Sequence, residues 1–108
     1  MRNGNKYGAR KTTTPDGQKF DSVKEFRRWG ELQLLQKAGK IFGLQRQVKY
    51  ELSPKQDGER ACVYVADFVY IDSNGNTVVE DVKGLKTDVY KIKKKLMRWR
   101  YGIRIYET

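Results

Sequence analysis

The fold is decided by the stretch "ACVYVADFVYIDSNGNTVVEDVK", residues 61–83, in which two apolar runs flank a turn signal. Residues 61–71 and 77–83 are rich in valine, tyrosine and isoleucine, which favour β-strands. The Asn74-Gly75 pair between them is typical of a tight hairpin. The sequence therefore predicts an antiparallel hairpin at the centre of a sheet.

This hairpin carries charge where burial is expected. Asp67 interrupts the first strand, while Asp81 and Lys83 share one face of the second because residues two apart point the same way. With a two-residue turn, Asp67 lies opposite Val82 and diagonal to Asp81 and Lys83. A shift of one residue places Asp67 opposite either of them, and the sequence leaves these registers open.

Helices and further strands are predicted on both sides of the hairpin. A capping box formed by Ser22 and Glu25 starts a first helix, and Gly39 ends it. The other predicted elements are strands at 41–45 and 47–52, a second helix from about 87 to 101 and a closing strand at 103–107. The order is α-β-β-β-α-β, an α/β (α+β) fold with one layer of sheet and two helices packed on it.

Each helix has an apolar stripe at steps of three and four residues, which predicts its buried face. In the first helix the stripe includes Phe26, Trp29 and Leu32. In the second it consists of Val89, Ile92, Leu96 and Trp99. Both tryptophans are therefore predicted to be core residues.

The length of 108 residues favours a single domain. Residues 1–19 are polar, basic and rich in glycine and threonine, so we expect a flexible basic N-terminal arm before a domain at 20–108. The single cysteine, Cys62, excludes an intramolecular disulfide framework and favours a reducing compartment. No apolar run approaches the ~20 residues of a membrane helix, and no signal peptide is recognised.

The charge balance points to a polyanionic partner. The chain has 23 lysines and arginines against 13 acidic residues, a net charge of +10. Residues 83–104 hold nine basic residues against Asp88 alone. Nucleic acid is the expected partner, with a merely solvated surface as the alternative. A membrane surface is disfavoured because the second helix keeps its apolar stripe for the core.

Histidine is absent from the chain, which excludes His-dependent triads and His-ligated metal sites. The carboxylates of Asp67 and Asp81 with Lys83 instead suit a Mg²⁺ site, because Mg²⁺ prefers oxygen ligands. Such a site hydrolyses phosphodiesters, with the lysine holding the attacking water or balancing phosphate charge. The structural alternative is a buried Asp–Lys salt bridge.

The segments "ADF" around Asp67 and "EDVKG" around Asp81 and Lys83 resemble the PD-(D/E)xK nucleases, which include restriction endonucleases and Holliday junction resolvases. The chain is also similar to small phage and prophage proteins of that superfamily. This likeness covers most of residues 6–96, including "KYGARKT", "DGQKFDSVKEF", "LLQKAGKI", "LQRQVKYEL", "VADFVY" and "VVEDVKGLKTDVYKIKKKL". Ala66 stands where the motif has proline. The implied fold is a restriction-endonuclease-like core.

The resemblance also implies roles for individual residues. Asp67 and Asp81 bind Mg²⁺ or Mn²⁺ together with the Val82 carbonyl, and Lys83 is catalytic. Glu25 completes the site in resolvase-like members, although capping alone also accounts for it. Two further positions are Gln47, as an accessory residue, and Glu80, which is ranked below Asp81 because it points to the opposite face.

Together these features predict a metal-dependent DNA endonuclease that acts on branched DNA as a homodimer in phage recombination, in the cytoplasm of a bacterial host. The alternatives are a DNA-binding module with an idle site and a small basic RNA- or ribosome-associated protein. The predicted DNA contacts are Lys6, Arg10, Lys11, Lys86, Lys91, Lys93, Lys94 and Lys95.

Overall fold

The computed structural model describes residues 12–15, 17–82 and 86–108. The elements are β1 (Thr12–Thr13), β2 (Lys19–Phe20), α1 (Val23–Lys37), β3 (Phe42–Ser53), β4 (Cys62–Ile71), β5 (Thr77–Asp81), α2 (Asp88–Tyr101) and β6 (Tyr106–Glu107). The predicted order α-β-β-β-α-β is confirmed, and a short hairpin precedes it. Strands β3, β4 and β5 are antiparallel neighbours, and β6 runs parallel to β5 at the edge, which makes the four-stranded sheet mixed.

The short hairpin of β1 and β2 lies at the end of the segment that was predicted to be an arm. Phe20 at its base is buried and meets the Phe26 ring edge-on, with 5.4 Å between the ring centroids. The Arg46 guanidinium lies 3.9 Å from the Phe20 ring centroid and donates to the Lys19 carbonyl at 2.8 Å. These contacts anchor the hairpin to the main domain. Residues 1–11 and 16 of the predicted arm lie outside the described residues.

The central hairpin differs by one residue from the register that a two-residue turn gives. Tyr70 pairs with Val78 and Phe68 pairs with Glu80. Continued by one step, this ladder sets Asp67 opposite Asp81, one of the registers that the sequence left open.

The turn itself explains the shift. Its loop has three residues, 73–75, and Gly75 adopts a φ of 84°. The Asp72 carboxylate accepts hydrogen bonds from the backbone N–H groups of Asn74 and Asn76, each at 2.9 Å. A three-residue loop that ends in a left-handed residue is the next commonest hairpin connection after the two-residue turn. The Asp72 side chain therefore stabilises this three-residue loop over the two-residue turn.

Strand β3 is one continuous element of 12 residues, which covers both predicted segments, 41–45 and 47–52, from Phe42 onward. The predicted alternation is confirmed, since Leu52 is buried and Val48 and Tyr50 are half-buried while their neighbours are exposed. Gln47 has a φ of 53°, the only positive value at a non-glycine residue in the described chain. That conformation is uncommon and marks a strained position within the strand.

Helix α1 has the predicted ends. The Ser22 hydroxyl accepts from the Glu25 N–H at 3.0 Å, and Gly39 follows the helix with a φ of 77°. Within the described ranges, neither helix has the length and apolarity that crossing a bilayer requires.

The core has two clusters, one for each helix. Leu32 of α1 packs with Ile41, Phe68 and Tyr70 of the adjoining segments. The second cluster combines Tyr90 and Met97 of α2 with Leu52, Tyr64, Ala66, Val79 and Ile105. Strand β4 contributes to both clusters, so it joins the two halves of the core.

The predicted buried stripe of α2 is wrong in three of four positions. Val89, Ile92 and Trp99 are exposed, while Tyr90 and Met97 are buried and Leu96 is half-buried. The helix is therefore rotated by about one residue, roughly 100°. The hydroxyl of Tyr90 explains this rotation, because it donates to the Glu107 carboxylate at 2.7 Å. Of the two tryptophans, Trp29 is half-buried and stacks on Phe68 with 5.9 Å between ring centroids, but Trp99 is not a core residue.

Candidate functional site

The candidate site centres on the side-chain amide of Gln47. Its Nε2 donates to Glu25 Oε2 at 3.1 Å and to Asp67 Oδ1 at 3.5 Å. In the ladder of β3 and β4, Gln47 lies between the pairs Arg46–Phe68 and Val48–Ala66, which sets it opposite Asp67. The start of α1, the middle of β3 and the middle of β4 therefore meet at one point.

The other oxygen of Asp67 faces the end of β5. Asp67 Oδ2 accepts a hydrogen bond from the Val82 N–H at 2.7 Å. The charges of both Asp67 and Asp81 contribute to the raised pKa values of Tyr64 and Tyr90, after burial and hydrogen bonding. The structure places Asp67 beside the Val82 N–H and, by the continued β4–β5 ladder, opposite Asp81. Metal binding by these groups and by the Val82 carbonyl stays a prediction.

Asp81 is held by a buried phenol. Its carboxylate is only 1% exposed, and the Tyr64 hydroxyl donates to Oδ2 at 2.5 Å. Burial, and next the hydrogen bond to Asp81, raise the pKa of Tyr64 far above its usual value. The phenol therefore keeps its proton at physiological pH and remains a donor to Asp81. Tyr64 was not predicted as a site residue, although its position three residues before Asp67 in the same strand could have indicated it.

Glu25 serves both the helix cap and the site. Its backbone N–H completes the Ser22 cap, and its Oε1 accepts from the Asp21 N–H at 3.1 Å. Its Oε2 faces Gln47 and lies 3.7 Å from Arg46 Nη2. Burial is the largest influence on this carboxyl group and raises its pKa. The capping role of Glu25 is therefore confirmed, and its role in a catalytic site stays a prediction.

Glu80 is excluded from the site by a separate ion pair. It is 0% exposed, and its two oxygens accept from Arg28 Nε at 2.8 Å and Arg28 Nη2 at 2.7 Å. The Tyr70 hydroxyl donates to the same carboxylate. Glu80 therefore ties β5 to α1 on the side of the sheet where Phe68 and Tyr70 pack, as strand alternation indicated. Arg28 was not predicted from the sequence. An arginine next to the apolar stripe of a helix is the feature that could have indicated this ion pair.

Of the remaining predicted residues, some lie outside the described residues and the others lie on or just before α2. Lys83, Lys6, Arg10 and Lys11 lie outside the described residues. Lys86 and Lys94 form ion pairs with Glu107 at 2.9 and 3.1 Å. Lys93 is half-buried, and Lys91 and Lys95 are exposed on α2.

Comparison with known proteins assigns a family without an activity. A family profile described as "Protein of unknown function (DUF1064)" matches residues 4–105, which is nearly the whole chain. The chain belongs to the DUF1064 family. No curated protein and no solved structure matches it. Membership in DUF1064 leaves the PD-(D/E)xK resemblance and the nuclease activity as predictions.

A divalent cation at this site would need oxygen ligands from the nearby carboxylates and backbone. Within 12–15, 17–82 and 86–108, no three acidic, cysteine or histidine side chains are grouped closely enough to hold a metal ion. Mg²⁺, however, commonly takes one or two carboxylates and keeps several waters. Asp67, half-exposed beside Asp81 and the Val82 backbone, provides oxygen donors of that kind. Binding of Mg²⁺ by this DUF1064 chain therefore stays a prediction, which depends on these two carboxylates and on waters.

Proposed function

We propose that the protein is a metal-dependent DNA endonuclease that hydrolyses phosphodiester bonds. The observation that carries this proposal is that the β4–β5 ladder, continued by one step, sets Asp67 opposite Asp81, while Gln47 joins Asp67 to Glu25. A chain with a net charge of +10 has no evident structural need to place carboxylates together inside its sheet. An anionic pair of this kind suits a cation that a DNA phosphate shares.

Each residue has a defined part in this proposal. Asp67 and Asp81, with the Val82 carbonyl, would hold Mg²⁺ or Mn²⁺, which polarises a phosphoryl oxygen and acidifies a bound water. Tyr64 fixes the Asp81 carboxylate by its hydrogen bond. Gln47 orients Asp67 and Glu25, so it is a positioning residue. Glu25, whose pKa is raised by burial, accepts or returns a proton more readily near neutral pH than an exposed glutamate. Lys83 balances charge on the phosphate.

The substrate and setting follow from size and resemblance. A domain this small has little room for a separate sequence-reading module, so a branched DNA structure is the proposed substrate. Cutting both strands of a junction requires two sites, so the active form is a homodimer. Phage or prophage recombination in the cytoplasm of a bacterial host is the proposed setting.

Cleavage of a labelled four-way DNA junction tests the proposal. With Mg²⁺ or Mn²⁺, the wild-type protein should nick the junction, and Asp67→Asn, Asp81→Asn and Lys83→Ala should each lower the rate at least about 100-fold. Asp57→Asn, at an exposed loop aspartate, is the matched control and should cleave normally. Nicking that survives the substitutions at 67, 81 and 83 would remove these residues from the chemistry.

The second candidate is a DNA-binding module with an idle site. The near-complete burial of Asp81 beneath Tyr64 favours it, because a covered carboxylate is less available to a metal ion. Tight junction binding with no cleavage in Mg²⁺ or Mn²⁺ would support this module. A preference for RNA at matched salt, without dependence on metal, would instead indicate an RNA-associated protein.

A further inference from the structure

A groove of about 770 Å³ lies along α2 and the segment that leads into β6. Its walls are formed by Lys91, Lys94, Lys95, Arg98, Trp99 and Arg104. Ile105, which is buried, belongs to its lining. The groove is therefore a mainly basic surface with two apolar residues, Trp99 and Ile105.

Most of the positive charge in this groove is available to a ligand. Lys94 is paired with Glu107, but Lys91, Lys95, Arg98 and Arg104 are exposed. In the part of the chain that the structure describes, no carboxylate lies within ion-pair distance of these four side chains. Four such cations on one groove favour an anionic ligand.

Trp99 projects from the same groove with 78% of its surface exposed. Exposure of so large an aromatic side chain costs solvation free energy, and the fold obtains no packing in return. Aromatic side chains between phosphate-binding cations are the recurring design of single-stranded nucleic-acid sites, because a base stacks on the ring whatever its identity.

We propose that this groove binds an unpaired DNA strand, with a base stacked on Trp99 and phosphates held by the surrounding cations. The inference rests on the proposed function for the choice of DNA, and it adds a substrate class, namely DNA with a single-stranded segment. Tyr90, whose hydroxyl donates to Glu107, the register partner of Asp81, precedes Trp99 by nine residues, a rise of about 13 Å along α2 and half a turn around it. The groove therefore offers DNA a contact outside the candidate site, on the other side of α2.

A second copy of the chain is the other occupant to consider for an exposed tryptophan. A two-fold contact through this face would bring Lys91, Lys95 and Arg98 of one copy against the same residues of the other. Like charges in contact are destabilising, whereas a polyanion neutralises them. Charge complementarity therefore favours DNA.

Binding measured in EDTA separates this inference from catalysis. Labelled single-stranded DNA and a duplex of the same length are titrated with wild type, Trp99→Ala and Trp99→Phe at fixed salt. Trp99→Ala should weaken single-strand binding about tenfold, within the range known for loss of one stacked base, and leave duplex binding within about twofold. Trp99→Phe should restore most of the loss. Leu34→Ala, at an exposed apolar residue of α1, is the control.

A fluorescence arm reports on stacking directly. In a Trp29→Phe background, Trp99 is the remaining tryptophan of the chain, and single-stranded DNA should quench its emission more strongly than duplex. Single-strand RNA of the same sequence shows whether the groove also accepts ribose. Equal losses on single strand and duplex, an unchanged affinity for Trp99→Ala, or a Trp99→Ala protein that changes only its oligomeric state would each overturn the inference.

The two proposals fail separately. A protein that never cuts DNA but prefers single strands through Trp99 keeps the groove and loses the endonuclease. A protein that cuts DNA with no effect of Trp99→Ala on binding keeps the endonuclease and loses the groove.

Discussion

At the scale of single residues, burial gives three acids of this chain different roles. Asp81 is held by a phenol, Glu25 by an amide and the Asp21 backbone N–H, and Glu80 by a guanidinium. A buried carboxylate needs such partners because water no longer solvates its charge. The partners of Asp81 and Glu25 keep these two acids on the side of Asp67. Arg28 holds Glu80 on the other face of the sheet, so Glu80 has a structural role.

Loss of the Glu80 carboxylate should destabilise the protein strongly. Glu80→Gln leaves the Arg28 guanidinium without its two charged hydrogen bonds, and we expect the free energy of unfolding to fall by about 3 kcal/mol. Urea denaturation measures this change.

Glu31→Gln is the control for that experiment. Glu31 also pairs with Arg28, at 3.0 Å, but its side chain is 63% exposed, so its loss should cost less than about 1 kcal/mol. Similar costs for the two substitutions would contradict the structural role of the buried pair.

Glu25 should make stability depend on pH in the acid range. Burial raises its pKa in the folded protein above the ordinary value of 4.5, so the folded state binds this proton more tightly than the unfolded chain. The resulting stabilisation is complete below 4.5 and is lost as the pH rises through the raised pKa. The unfolding free energy of wild type minus that of Glu25→Gln should therefore decrease with rising pH.

Urea denaturation over a pH series measures this difference, with Glu59→Gln, in the exposed 54–60 loop, as the control. A difference that stays constant or increases with pH would show that the Glu25 carboxyl is not raised in pKa.

At the scale of elements, the position of α2 depends on the end of β6. Glu107 accepts from Tyr90 at 2.7 Å and pairs with Lys86 at 2.9 Å and Lys94 at 3.1 Å. One carboxylate at the sheet edge thus holds the first turns of the helix. The rotation that buries Tyr90 also exposes Trp99 to the groove, so element packing creates the proposed strand site.

Glu107→Gln should loosen this connection in a pH-dependent way. The hydrogen bond from Tyr90, followed by the contacts of Lys86 and Lys94, lowers the pKa of Glu107 to about 2. Its stabilisation is present above the ordinary carboxyl value of 4.5 and disappears as the pH falls toward 2. The melting temperature of the variant should be below that of wild type at pH 7, and the gap should narrow below pH 4.5.

Glu51→Gln is the control, because the Glu51 carboxylate is half-exposed and pairs with Arg100 at 4.0 Å on the surface. A gap between Glu107→Gln and wild type that persists at pH 2 would point to lost packing instead of lost charge.

At the scale of the whole molecule, the net charge of +10 governs binding to DNA. Each lysine that neutralises a phosphate releases counterions, so affinity falls steeply with salt. The groove along α2 brings four exposed cations together, so the salt dependence of DNA binding should depend on it.

The double substitution Lys91→Ala with Lys95→Ala should reduce the slope of log affinity against log salt by about 1.4 for single-stranded DNA. Anisotropy titrations across a salt series measure the slope. Lys37→Ala with Lys40→Ala removes the same charge from the exposed end of α1 and should change the slope by less than half as much. Equal changes would mean that the protein binds DNA without a preferred face.

The sequence by itself determined the elements and their order, because strand alternation, caps and turn residues are local signals. The capping serine at Ser22, the end of α2 at Gly102 and the strand that carries Asp67 all lie where it predicted them. It also determined which two aspartates come together, since a hairpin brings its strands into contact whichever of the neighbouring registers forms.

Only the tertiary structure decided the register, the partners of the acids and the rotation of α2. The Asp72 carboxylate stabilises the longer turn, and Arg28 pairs with Glu80, which lies 52 residues later in the chain. The Tyr90 hydroxyl bonds to Glu107, and in this orientation of α2 the apolar stripe with Trp99 faces solvent. Each outcome depends on a polar group that needs a partner from another part of the chain. Hydrophobic periodicity is a local property, whereas the pairing of buried charges and hydroxyl groups exists only once distant segments have packed.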